Sequence, residues 1–103
     1  MTESFRRLKD VLKSGDFAIT AEIPAPVSAS ASEMKQKINI IKDSVHAINV
    51  TDSPGATAHM ASLAGSSIVQ TQGIDPILQI TCRDRNRLAI QSDLMGASAL
   101  GIN

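Results

Sequence analysis

The stretch Gly73-Ile-Asp-Pro-Ile-Leu-Gln-Ile-Thr-Cys-Arg-Asp-Arg-Asn86 decides how the rest of the chain is read. Ile77, Leu78 and Ile80 form a short apolar run behind a Gly and a Pro, the pattern of a strand buried on both faces. The run gives way at Thr81-Cys82 to alternating charges, Arg83, Asp84 and Arg85. Asn86 then stands where a helix N-cap is wanted. Strand, charged turn, helix is the layout of a βα unit whose chemistry sits at the C-terminal end of the strand. Polar residues begin where the buried strand stops, so the turn is read as facing a ligand; the alternative is a turn that only keeps a loop in water.

The same unit repeats upstream. Phe5, Leu8, Val11 and Leu12 recur at helical spacing between Thr2 and Ser14, and Gly15 is placed to end that helix in a left-handed conformation. Phe17 to Ile23 alternates as a strand, with Phe17, Ile19, Ala21 and Ile23 on one face and Ala18, Thr20 and Glu22 on the other; Pro24 and Pro26 stop it. Ser30 with Glu33 three residues on is a capping box for a helix that buries Met34, Ile38, Ile41 and Val45. Ala47 to Val50 is a second strand, followed by the turn Thr51-Asp52-Ser53-Pro54-Gly55. Ala58 to Gln72 reads as a helix without a single charge, hence one covered on most sides by protein. Ile77 to Thr81 is the third strand and Leu88 to Leu100 the last helix.

Short strands separated by helices of about a dozen residues pair in parallel through crossovers. A doubly wound open sheet and a (β/α)₈ barrel both begin in this way, and periodicity alone does not separate them.

Composition narrows the function. The chain has 103 residues, enough for one domain, and 43% of them are apolar, enough for a core. Two Phe and no Trp or Tyr argue against stacking platforms for nucleic-acid bases. Ten basic residues balance ten acidic ones, so no electrostatic footprint for nucleic acid or an anionic membrane exists. Cys82 is alone, and His46 and His59 lie far apart, which leaves neither a disulfide nor a metal cluster and fits a reducing, cytoplasmic setting. Cys82 is expected as a small buried hydrophobe, and His59 as a surface or packing residue of the uncharged helix.

Three segments together carry a resemblance: Phe17-Ala-Ile-Thr-Ala-Glu-Ile-Pro-Ala-Pro26, Ala47-Ile-Asn-Val-Thr-Asp52 and Ile80-Thr-Cys-Arg-Asp-Arg-Asn86. They resemble, in order and spacing, the first three strand ends of methylenetetrahydrofolate reductases, from about Gly15 to the last residue. The resemblance implies an α/β fold, a partial (β/α)₈ TIM barrel made of an N-terminal helix plus the first three βα units. Residues 1–103 would then be the N-terminal part of a flavin-dependent reductase domain. It implies an enzyme that reduces 5,10-methylenetetrahydrofolate to 5-methyltetrahydrofolate through bound FAD. Its electrons would come from a reduced nicotinamide or an electron-donating partner subunit, and the full-length protein would be an oligomer. No nucleic-acid or membrane partner is expected.

Carried over residue by residue, Glu22 matches the family's catalytic acid, which protonates the folate and opens it to an iminium. A lone carboxylate at a strand's C-terminal end, beside two prolines and few counter-charges, suits that task; the alternative is a solvent-facing strand residue. Thr51 and Asp52 match the turn that lies along the flavin, although Asp52 reads equally as the start of a Pro-Gly turn. Gln79 stands where many members have a flavin-contacting His, and an amide can still donate or accept. Thr81 and Cys82 agree with the family pattern. Arg83, Asp84 and Arg85 resemble a subset of members and would either hold an anionic group or pair with one another at the surface.

The family's fourth strand, with its Gly-Asp near the flavin, has no counterpart here. Two expectations follow: an incomplete site, inactive alone, and an uncovered inner sheet face exposing Ile19, Ala47 or Ile48, and Ile80, or their strand neighbours, which disfavours a stable monomer. The rival reading is a non-catalytic pterin- or partner-binding subunit that completes its barrel with a second polypeptide.

Overall fold

The computed structural model describes residues 6–103, so Phe5 and the expected start of the first helix lie outside the described residues. Helix α1 is Leu8–Ser14, strand β1 Thr20–Pro24, helix α2 Ala31–Ile41 and strand β2 Ala47–Thr51. Helix α3 is Ser62–Thr71, strand β3 Asp75–Leu78 and helix α4 Arg87–Ala99. The strands are parallel in the order β1-β2-β3. Three parallel strands and four helices among the described residues fit an arc of a (β/α)₈ barrel.

Local chemistry places most boundaries. Gly15 ends α1 at φ 83°, the left-handed conformation that a residue without Cβ adopts most easily. Ser30 caps α2 by accepting from the Glu33 amide at 3.1 Å, and Asn86 caps α4 by accepting from the Ala89 amide at 2.8 Å. The capping box is not reciprocal, because the Glu33 carboxylate takes the Ser28 hydroxyl instead, at 3.1 Å.

Long-range contacts move other boundaries. β1 begins at Thr20 rather than Phe17, and Phe17 is 85% exposed. Just before it, the Ile19 amide donates to His46 Nδ1 at 3.0 Å while the His46 amide donates to the Ile19 carbonyl at 2.7 Å. A side chain thus stands in for the ladder at that point. β3 begins at Asp75 and ends at Leu78, so Gln79 to Thr81 lie beyond the strand. Pro76 is tolerated inside it because β3 is an edge strand, whose outward amide has no ladder partner to lose. α3 starts only at Ser62, which leaves His59 in the preceding loop with Nδ1 donating to the Thr57 carbonyl at 2.7 Å. Cys82 is exposed, not buried, because it sits in the turn past the strand and not behind it.

The core lies between the sheet and α2 and α3. Ile23, Ile48 and Val50 meet Met34, Ile38 and Val69 there. α3 comes close because residue 65 is Gly: a Cβ there would lie 2.9 Å from Val50 Cγ1.

The opposite face differs from the expectation. Parallel register aligns Thr20 with Ala47 and Asp75, then Glu22 with Asn49 and Ile77, so this face is largely polar. Ala47 and Ile48 are both fully buried. Ile48 points the other way, into the core, while Ala47 lies in the same row as Asp75. Asp75 accepts from the Leu8 amide at 2.8 Å and pairs with Arg7 at 3.2 Å, which ties α1 to that end of the sheet. Of the expected uncovered residues, Ile19 is 47% exposed and Ile80 is half-buried.

Candidate functional site

The polar groups gather at the C-terminal ends of the strands. A cleft of about 540 Å³ opens there, lined by Glu22, Thr51, Asp52, Pro54, Gln79, Ile80 and Thr81. It brings together residues that the sequence keeps apart on three strand ends.

Glu22 follows Ala21 on β1, so it faces away from the helices, onto the open face. Its Oε1 accepts a hydrogen bond from Gln79 Nε2 at 3.0 Å. The two residues belong to the outer strands' ends, roughly 10 Å apart across two strand spacings. Their side chains therefore reach toward each other over β2. Gln79 is held from behind: its carbonyl accepts the hydroxyl of Ser62, a fully buried residue at the start of α3, at 2.7 Å.

Beneath that bridge lie two polar atoms with no protein partner, Asn49 Oδ1 and Thr51 Oγ1. Both are shut off from solvent, and a buried polar atom without a partner costs free energy until something pairs with it. Asn49 went unnoticed in the sequence, although the two-residue period from Thr51 puts it on the same face. Ser62 gave no signal at all, being one of several small polar residues in an uncharged helix.

Asp52 has another occupation. Its side chain is 5% exposed and forms a two-pronged ion pair with Arg85, which is 19% exposed. It also accepts from the Thr81 amide at 2.6 Å. Burial pushes the Asp52 carboxyl up, but the Arg85 guanidinium and the Thr81 amide outweigh it and hold the group below the usual carboxylate range. Arg85 is in turn raised, chiefly by its hydrogen bond to Asp52. Arg85 also donates to the Thr81 carbonyl at 2.8 Å and to Asp93 on α4 at 3.0 Å. Asp52 and Arg85 thus fix the turn after β2 against the segment after β3, forming one wall of the cleft. The charged turn splits accordingly: Arg85 pairs inward, whereas Arg83 pairs with its neighbour Asp84 at the surface, at 2.7 Å, and donates to the Ser53 carbonyl at 3.3 Å.

The remaining wall is the turn after β2. Ser53 and Ala56 adopt positive φ, 45° and 58°, around Gly55 at 66°. Left-handed backbone at two residues that carry a Cβ is uncommon, and such conformations persist where surrounding structure imposes them. Among the described residues no group of three potential metal ligands occurs, and no helix is long and apolar enough to cross a membrane.

Parallel βα units with a polar cleft at the carboxyl ends of the strands define an α/β protein whose cleft lies where such folds carry their sites. The family model described as methylenetetrahydrofolate reductase matches residues 7–103, and the chain belongs to that family. At family level this is an oxidoreductase of folate one-carbon metabolism. A comparison with curated proteins finds no match.

Proposed function

We propose that this chain forms the first three βα units of a (β/α)₈ reductase that converts 5,10-methylenetetrahydrofolate to 5-methyltetrahydrofolate with bound FAD. The observation that carries the reading is the position of Glu22: a carboxylate at a strand's C-terminal end, in a cleft, above polar atoms that lack partners. Family membership supports the substrate class.

The donor set fits a flat, polar-edged heterocycle. Thr51 Oγ1 is buried and unpartnered, and the Gln79 amide and the Thr81 backbone stand beside it in the cleft. Thr51 and Thr81 would hold the flavin, while Asp52, both of whose oxygens are engaged, and Gln79, whose amide donates to Glu22, shape the walls. When bound, the flavin would supply the hydride, with a reduced nicotinamide or an electron-donating partner subunit as the source of electrons. The chain's own contribution is acid chemistry and orientation. Glu22 donates its proton to the folate, which opens the five-membered ring to an iminium, and the left-handed turn at 53–56 and the Asp52–Arg85 pair keep that end of the cleft in shape. The remaining contacts would come from the later strands of a complete barrel.

Glu22→Gln tests the assignment in the complete enzyme, because Gln keeps the size and the hydrogen bonding and removes the acid. The folate-reducing half-reaction falls by about 10²- to 10⁴-fold, the usual effect of losing a general acid. Flavin reduction by the donor uses no such proton and stays near its original rate in stopped-flow measurements. Equal losses in both half-reactions would mean that Glu22 only holds the strand end together.

A further inference from the structure

Gln79 departs from the histidine that its position resembles, and the structure gives its amide a definite partner. Nε2 donates to Glu22 Oε1 at 3.0 Å, from a residue 57 positions away in sequence and on the far side of the central strand. Its backbone is pinned by the buried Ser62 hydroxyl at 2.7 Å. We propose that Gln79 is a positioning residue for Glu22: it occupies one carboxylate oxygen and leaves the other as the oxygen that carries the reacting proton. The inference rests on the acid role of Glu22 set out above.

Three features carry it. Glu22 is on an exposed edge strand, and a free glutamate there would sample several rotamers. Among the described residues, Gln79 supplies the only side-chain hydrogen bond that the Glu22 carboxylate accepts. An amide NH₂ can only donate, so Oε1 is committed as an acceptor and a proton on the carboxyl belongs on Oε2. The Ser62 anchor matters because Gln79 lies past the end of β3, where no ladder hydrogen bond fixes it. Directing a general acid in this way is a question of geometry, and a misplacement of about 1 Å is enough to cost on the order of 10²-fold in rate.

The test begins with side-chain NMR of the 103-residue chain. In the unmodified chain one Gln79 Nε2 proton is shifted downfield and exchanges slowly. In Glu22→Ala both protons revert to the positions of solvent-exposed amides, while the backbone amides of α2 and β2 stay in place. Gln79→Leu gives the converse reading: the Glu22 carboxyl carbon signal moves. In the complete enzyme Gln79→Leu slows the folate-reducing half-reaction by about 10- to 10²-fold, and Gln79→Leu combined with Glu22→Gln is no slower than Glu22→Gln alone. Gln79 resonances that ignore Glu22→Ala overturn the inference whatever the activity does, and so do losses that multiply in the double variant. If Glu22→Gln leaves the folate step intact while the resonances respond, the bridge stands as a contact, and the acid reading, together with the role built on it, falls.

Discussion

Replacing Arg85 with Met should weaken the fold far more than its place in a charged surface turn suggests. Met preserves much of the side chain's length and apolar packing and removes the guanidinium. Asp52, 5% exposed, would keep one hydrogen bond, from the Thr81 amide, and lose both prongs of its ion pair. Stranding one member of a buried pair costs about 3–5 kcal/mol. Arg85 itself is 19% exposed, so water screens part of the interaction, and a loss of roughly 2–3 kcal/mol is the better figure. For a domain of this size that lowers Tm by about 10–20 °C. Urea unfolding followed by circular dichroism at pH 7 measures it. Arg83→Met is the control: Arg83 pairs with Asp84 at the surface and adds one exposed hydrogen bond to the Ser53 carbonyl, so its loss should move the midpoint far less than that of Arg85.

The pH dependence gives the sign. The folded Asp52 carboxyl sits below its ordinary value of 3.8, so the unfolded chain binds the proton more readily. The pair's contribution is therefore complete above 3.8 and is lost as pH falls through the lowered folded value. In Arg85→Met, burial opposes the charged form with only the Thr81 amide and the more weakly felt Arg83 charge to offset it, so this acid-side loss should shrink or reverse. An Arg85→Met protein as stable as its parent at pH 7, with the same acid limb, would refute the reasoning.

Two further outcomes follow from packing and capping. Gly65→Ala should lower stability by about 1 kcal/mol in urea unfolding: the helix gains about 1 kcal/mol of propensity, but overpacking costs about 1–3 kcal/mol because the new Cβ meets Val50 Cγ1 at 2.9 Å in a core with no room to yield. Gly65→Val, bulkier and a poorer helix former, should lose more, and a stabilised Gly65→Ala would show that α3 can shift outward. Asn86→Ala should cost about 1 kcal/mol by freeing the Ala89 amide. Hydrogen exchange at Ala89 and the rest of the first turn of α4 should then quicken while β2 is unaffected; uniform protection throughout would argue against the cap.

The sequence by itself determined what short-range chemistry settles. Gly15 could end a helix in the left-handed region, Ser30 and Asn86 could start helices, and Met34 with Ile38 could form a buried stripe, because each depends on residues within one or two turns. Alternation and proline placed Glu22 at the end of the first strand, on the face opposite Ile23, but the expected uncovered face was that of Ile19. Only the structure turned the Ile23 side to the helices and left Glu22 on the open side. Thr51, Asp52 and Thr81 were legible as residues where apolar runs give way to polar turns, although β3 ends earlier than expected, at Leu78.

What the tertiary structure decided is where those ends meet and what they do there. The Glu22–Gln79 bridge spans 57 positions and the Asp52–Arg85 pair spans 33, distances over which no local pattern carries information. Asp52 became a wall brace because the turn after β3 delivers a guanidinium to it, and Arg85 was indistinguishable from Arg83 until the fold buried one and left the other wet. His46 shortened β1, and α1 is anchored beside Ala47, by contacts equally remote in sequence. Periodicity reports which way a side chain points relative to its own element; which partner awaits it depends on how parallel strands are brought into register by the helices between them.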